Sequence, residues 1–171
     1  MAPPFVVRRY ATGEAGMLRH LRLSALQETP EAFGVGYGQE SARPFAFWEE
    51  WIAGSAPFGI FAGGQAAGLA GFWQSTATNL AHRGSLGAMF VAAPLRGTGA
   101  AAALVEAVLA LARTCVAQVH LSVNVDNLRA RRLYERLGFR EYGREPAGLR
   151  YAGIDHDVLL MVRMLDRRNS G

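Results

Sequence analysis

MFVAAPLRGTGAAAALVEAVLALAR, residues 89–113, carries an apolar strand-like run through a proline-broken turn into a helix that opens on four alanines, Ala100 to Ala103. Helix starts leave several main-chain N–H groups unpaired and carry about half a positive charge. The amides of residues 97–101 (Gly97, Thr98, Gly99, Ala100, Ala101) can therefore face an anion the size of a pyrophosphate. Gly97 and Gly99 let the backbone come close, and Arg96 adds a cation at the rim. Three or four such bonds at ~1.5–3 kcal/mol each would supply a large share of a micromolar affinity. Two other readings compete. Glycines after a strand also simply turn a chain, and alanine is the best helix former. Gly97, Gly99 and Ala102 also satisfy the Gly-x-Gly-x-x-Ala fingerprint of dinucleotide sites. Against that, Pro94, Leu95 and Arg96 separate the glycines from the strand end, and Asp126 lies well past the ~20 residues expected for the ribose-binding acid.

Downstream, VHLSVNVDNLRARRLYERLGF (residues 119–139) reads as a strand over Gln118–Val123 and a helix over Asn127–Leu137. Helical spacing puts Ala130, Leu133, Tyr134 and Leu137 on one inward face and Arg129, Arg132 and Arg136 on the other. Gly138 is placed to end the helix in a left-handed cap, with Phe139 packing back under it. From Arg140 to Leu165 the chain returns to strands, and DVLLMVRML is apolar enough to lie inside a sheet.

Upstream, the reading begins with a strand at Phe5–Arg9 and a helix capped by Thr12 with Glu14 in its first turn. Met17, Leu18, Leu21 and Ala25 recur along that helix at helical spacing. It stops near Thr29, because Pro30 disfavours helical geometry in the residue before it. EAFGVGYGQE, with glycines at 34, 36 and 38, reads as a mobile loop, and a second helix covers about Phe45–Ala53. GIFAGG and AAGLAGFWQS form two strands about a Gly-Gly turn, and a third strand covers about Ser85–Val91. No repeat, low-complexity tract or linker interrupts the pattern, so residues 1–171 are expected to be a single domain.

Composition narrows the function. The chain has 171 residues, 50% hydrophobic and 19% charged, which suits one compact core burying roughly 70% of its unfolded surface. No membrane-length apolar run is present, and the start lacks the basic-then-apolar layout of a secretory signal, so a cytoplasmic protein without a membrane partner is expected. Cys115 is the single cysteine, which leaves no internal disulfide and no multi-cysteine metal site, and its apolar neighbours suit a buried inert thiol. The 18 basic residues are all arginine. A lysine Schiff base and a lysine-dependent phosphate loop are thereby excluded. The arginines are scattered along the chain with no aromatic-basic stripe, so the net charge of +4 gives no case for nucleic acid.

Taken together, the two stretches resemble the GCN5-related N-acetyltransferase (GNAT) family. Its phosphate motif, Gln or Arg-x-x-Gly-x-Gly or Ala, is matched by Arg96, Gly99 and Ala101. Its later Asn-x-x-Ala-x-x-x-Tyr-x-x-x-Gly-Phe is matched by Asn127, Ala130, Tyr134, Gly138 and Phe139. The resemblance implies an α/β (α+β) fold: a mixed, mostly antiparallel sheet of six or seven strands with the fourth and fifth splayed, flanked by about four helices. It implies acetyl-CoA as acyl donor, transferred directly to an amine acceptor. Backbone groups of Met89, Phe90 and Val91 would meet the pantetheine arm as an added strand. The turn from Arg96 to Ala101 would take the pyrophosphate, Asn127 would bond the cofactor arm while also suiting a helix cap, and Tyr134 would face the thioester sulfur. Many relatives pair as homodimers. A non-catalytic acyl-CoA sensor on the same fold, and the dinucleotide module, stay as alternatives.

Transfer from a thioester needs a neutral amine, a polarised carbonyl and a stabilised thiolate. An alkylamine of pKa ~10.4 is neutral in only about one molecule in two thousand at pH 7. An N–H near Val91 can hold the carbonyl oxygen. A tyrosine of pKa ~10 is a weaker acid than a thiol of ~8.5, so full protonation of the thiolate by Tyr134 is uphill by roughly 2 kcal/mol, and a hydrogen bond is an equal role. Some relatives place a glutamate on the strand before the phosphate turn, but SLGAMFV has none there. Glu28, Glu31, Asp155, Asp157, His120, His156 or a water chain are left as candidate bases. Phe33, Tyr37, Phe45, Trp48, Trp51 and Trp73 make a candidate aromatic wall for the acceptor, although most also suit the core. That wall favours an acceptor with an apolar part over a polyamine.

Overall fold

The structure, a computed structural model, describes residues 4–55 and 57–165. In chain order the elements are β1 (Val6–Arg9), α1 (Ala15–Glu28), α2 (Tyr37–Ser41), α3 (Phe45–Ser55), β2 (Phe58–Ala62), β3 (Gln65–Gln74), β4 (Arg83–Val91), α4 (Ala100–Cys115), β5 (Gln118–Asn124), α5 (Leu128–Arg136), β6 (Arg140–Tyr151) and β7 (Ile154–Met164). The seven strands hydrogen-bond in the order β1-β2-β3-β4-β5-β7-β6. Neighbours run antiparallel except β4 and β5, which are parallel. That is the mixed α/β architecture expected, and it excludes the doubly wound parallel sheet on which a dinucleotide fingerprint depends. No helix among the described residues is long and apolar enough to cross a membrane.

The chain divides into two compact units, with β3, β4 and α4 running through both. The first holds the residues up to Gly71 together with Ala88–Val108. Its core gathers Tyr10, Leu18, Leu21, Trp48, Phe61 and Phe90. Apolar side chains recur every three or four residues on α1, so its buried face is continuous. Thr12 does not cap this helix. Glu14 stands at its start, where its carboxylate accepts the Ala11 N–H at 2.7 Å and pairs bidentately with Arg8 at 2.8 Å. An acid fixed there serves the positive helix end that a threonine two residues earlier does not reach.

A larger departure from expectation lies in the glycine-rich stretch. Tyr37–Ser41 is a short helix, which makes five α-helices among the described residues where about four were expected. Gly38 within it carries the usual propensity cost, and a buried ion pair offsets it: Arg22 of α1 donates from Nε and Nη2 to the Glu40 carboxylate at 2.9 and 3.0 Å. Arg22 also lies 4.5 Å from the centre of the Phe33 ring.

The second unit holds Phe72–Gly87 and the residues from Leu109 onward. β4 pairs with β5 at Arg83–Ser85 with Gln118–His120, and β5 pairs along its whole length with β7, from Gln118↔Met164 to Asn124↔Val158. Gly84 is required here, because a Cβ would sit 2.4 Å from the Phe72 ring. β6 closes the edge as a mostly exposed strand, with register shifts at Glu141/Gly143 and Glu145/Leu149. Such irregularities blunt an open sheet edge against further pairing.

Candidate functional site

In the first unit β4 takes a left-handed residue, Ala88, at φ 53, immediately before Met89. A non-glycine residue there costs ~1–2 kcal/mol, and such a residue inside a strand re-aims the backbone beyond it. Met89 is half-buried, and Phe90 and Val91 are buried. The chain then turns tightly through Ala93–Leu95 into residues 96–99. Gly97 and Gly99 adopt φ 82 and φ 87, and the space around both is open on the Cβ side. Both glycines are therefore needed for conformation, whereas neither is needed for packing.

The Ala103 N–H bonds back to the Gly99 carbonyl at 3.0 Å, so the N–H groups of Ala100, Ala101 and Ala102 have no acceptor within the helix. Thr98 turns its hydroxyl inward, donating to the Leu95 carbonyl at 2.7 Å, which leaves the outside of the turn lined by backbone. Arg96 does more than stand at the rim. It donates from Nε to the Val91 carbonyl at 2.9 Å and pairs through Nη2 with Glu28, so part of its charge is already matched. The turn fits a pyrophosphate: it offers unpaired amides at a helix start, an arginine beside them, and no side chain over Gly97 or Gly99.

In the second unit Asn127 caps α5, its Oδ1 accepting the Ala130 N–H at 3.1 Å. Tyr134 is the buried residue of that helix, its ring edge-on to Phe139 at 5.7 Å. Its hydroxyl makes no hydrogen bond to any described residue. Burial pushes the hydroxyl pKa well above the usual tyrosine value, which makes it a still weaker acid. Gly138, at φ 82, ends the helix as its sequence position indicated. Ala130, Leu133 and Leu137 are half-buried, while Arg129, Arg132 and Arg136 are exposed.

The candidate bases are mostly committed. Glu28 pairs with Arg96, and Asp155 pairs with Arg150. Asp157 accepts from Arg144 at 2.7 Å and from the Ala147 N–H at 2.9 Å. The Arg150 pairing holds Asp155 below its ordinary pKa, and the Ala147 N–H followed by Arg144 does the same for Asp157, which weakens both as bases. His156 meets Asp126 at 3.0 Å, and Glu31 is exposed. The aromatic wall is dispersed in environment. Trp48 is fully buried, Phe33 and Trp51 half-buried, and Tyr37, Phe45 and Trp73 exposed. Cys115, expected to be buried, is half-buried and lies 3.7 Å from the carbonyls of Leu111 and Ala112.

Reading along the sequence missed a cavity of about 330 Å³ in the second unit, lined by Trp73, Gln74, Ser75, Leu80, Arg83, Ser85 and His120. Its signal was present in β5, where Gln118, His120 and Ser122 alternate with Val119, Leu121 and Val123, leaving one face of the strand polar. Arg83 lies against the His120 ring, Nε 3.3 Å from Nε2 and Nη2 3.4 Å from Nδ1. Desolvation first, then the charges of Arg83 and His82, hold the imidazole below its ordinary pKa, so it is neutral at pH 7.

Comparison with known proteins agrees with this geometry. No curated protein matches the chain. Among solved structures, an acetyltransferase of the GNAT family from Streptococcus pneumoniae is 19% identical, with 94% of this chain and 99% of that one covered and a TM-score of 0.81. A ribosomal-protein-alanine N-acetyltransferase from Brucella melitensis is 20% identical over 94% and 99%, with a TM-score of 0.80. The yncA protein of Salmonella typhimurium, whose structure includes its cofactor acetyl-CoA, is 18% identical over 98% and 97%, with a TM-score of 0.80. At these identities the likeness is one of fold. The acetyltransferase (GNAT) family model matches residues 22–139, more than half of the chain and including both the glycine turn and the Tyr134 helix, and the chain belongs to that family.

Proposed function

We propose that the chain is a single-domain, cytoplasmic N-acetyltransferase that moves the acetyl group of acetyl-CoA directly to a primary amine of a small molecule or a peptide N-terminus. The observation that carries this reading is the pair of left-handed glycines, Gly97 and Gly99, ahead of an unpaired helix start. In this reading the amides of Gly97, Gly99, Ala100 and Ala101 hold the diphosphate, with Arg96 beside them, while the Thr98 N–H already donates to the Leu95 carbonyl at 3.4 Å. Main-chain groups of Met89, Phe90 and Val91 run along the pantetheine arm, and a main-chain N–H near Val91 polarises the acyl carbonyl. Asn127 contributes its amide while keeping the α5 start in place. Tyr134 offers its hydroxyl to the leaving sulfur. Because burial weakens that acid further, its service is a hydrogen bond to the developing thiolate more than outright proton donation. A hydroxyl that bonds no described residue, carried on a buried ring, is free to take that role.

The reading is tested by calorimetry with CoA and by thiol release from acetyl-CoA across a panel of amines. Micromolar binding with amine-dependent release is the expected result. Binding without release from any amine would instead mark an acyl-CoA sensor. Stabilisation by nicotinamide dinucleotides but not by CoA would overturn the reading. The homodimer implied by family resemblance is checked by light scattering of the same sample.

A further inference from the structure

The second-unit cavity holds a cation that no described acid answers. Its lining, Trp73, Gln74, Ser75, Leu80, Arg83, Ser85 and His120, contains no carboxylate, and Arg83 makes no ion pair with any described acid. A half-buried guanidinium left in that state favours an anionic visitor. Against it lies a neutral imidazole. Tyr142 of β6 stands 3.3 Å from Nδ1 and Gln118 of β5 stands 3.0 Å from Nε2. Arg83 and His82 are the charged or titratable groups whose fields bear on the ring, and both disfavour its protonation. Trp73 and Leu80, each 41% exposed, add apolar surface. The cavity also sits where the β4–β5 pairing ends, at Ser85↔His120, with Ser85 four residues before Met89 on the same strand.

We infer that this cavity receives the acceptor, that the acceptor is a free α-amino acid with an apolar side chain, that Arg83 binds its carboxylate, and that His120 takes the proton from its ammonium group. The inference rests on the acetyl-transfer reading and narrows its acceptor. In the balanced step, the ammonium proton passes to a ring nitrogen of His120. The amine lone pair then forms the C–N bond, the C–S bond breaks, and the electron pair leaves on sulfur, hydrogen-bonded by Tyr134. The second amine proton is released to solvent as the amide forms. The carboxylate has a double effect. It anchors the acceptor, and by matching the charge of Arg83 it removes a field that opposes protonation of His120, so the base strengthens when its own substrate arrives. A cationic polyamine meets the reverse conditions here.

The test uses the full chain with L-methionine, L-leucine and L-phenylalanine, each beside its carboxamide, with thiol release as the readout. The carboxamide amines have the lower pKa and would win on intrinsic reactivity. At least one free acid should nonetheless exceed its carboxamide about 30-fold in kcat/KM, the scale of a lost charge pair. Arg83→Gln should bring that ratio close to one, mainly through KM. His120→Gln should lower kcat and abolish the acidic limb of the pH–rate profile, with CoA binding by calorimetry retained as the check on folding. Equal or better turnover of the carboxamides by the unmodified chain, or retention of the acidic limb in His120→Gln, overturns the inference while leaving acetyl transfer intact. Absence of both CoA binding and thiol release overturns acetyl transfer itself.

Discussion

Arg96 donates from Nε to the main-chain carbonyl of Val91 at 2.9 Å, tying the glycine turn back onto the strand that precedes it. The bond spans five residues and leaves Nη2 for Glu28. The arginine therefore holds the shape of the turn as well as presenting charge. Arg96→Ala should weaken CoA binding about tenfold or more and cost ~1–2 kcal/mol of stability, because the Val91 carbonyl loses its donor. Arg96→Lys should recover little of either, since one ammonium cannot reproduce the planar fork. Calorimetry and urea unfolding of both variants check this, and full rescue by lysine would contradict it.

The two turn glycines combine a left-handed φ with empty surroundings on the Cβ side. Gly99→Ala puts a Cβ into open space at φ 87, so backbone strain of ~1–2 kcal/mol is its whole cost. The alternative is a relaxed turn that no longer aims its amides. Thermal stability should fall modestly while CoA affinity falls by a larger factor, and Gly97→Ala should behave alike. Unchanged affinity in both variants would mean the amides do not hold the diphosphate.

Tyr134→Phe removes a hydroxyl that bonds no described residue, so stability should hold within about 0.5 kcal/mol or rise slightly. Turnover should drop about a hundredfold with CoA affinity changed less than about threefold, the pattern of an interaction made mainly in the transition state. Steady-state kinetics beside a CoA titration separates the two quantities. Equal turnover would reduce Tyr134 to a packing residue.

Burial raises the pKa of Tyr134, and burial followed by Glu14 raises that of Tyr10, whose hydroxyl donates to the Gly68 carbonyl at 3.2 Å. For a group with a raised folded-state pKa, stability is complete below the unfolded value and declines as pH climbs toward the folded one. Both contributions should therefore be intact up to about pH 10 and then fall, by at most ~1.4 kcal/mol per tyrosine per pH unit. Urea unfolding at pH 8, 10 and 11 checks this, and phenylalanine at either position should shallow the decline.

Arg22 and Glu40, with side chains only 6% and 11% exposed, should behave as a unit. Glu40→Ala strands a buried guanidinium and should cost ~3–5 kcal/mol, whereas Arg22→Met with Glu40→Leu should be far milder. A double-mutant cycle by chemical unfolding measures the coupling.

Legibility along the chain followed range. The Gly63–Gly64 turn, the stop of α1 at Thr29, the Asn127 cap and the Gly138 terminator were all readable, because each depends on residues within about one helical turn. The α2 helix was not. Its local propensity points to a loop, and only Arg22, 18 residues away, makes helical Glu40 favourable. Likewise the charge on Arg96 looked free until the fold brought Glu28 to it across 68 residues.

By itself the sequence determined the left-handed glycine turn and the tyrosine helix, since φ preference, missing helix donors and side-chain periodicity are properties of consecutive residues. It also excluded all lysine chemistry. Only the tertiary structure decided how the arginines and acids are matched, leaving Arg83 beside His120, 37 residues apart, with no carboxylate among the described residues paired to it. Such pairings follow from strand register and helix packing, which no local stretch contains.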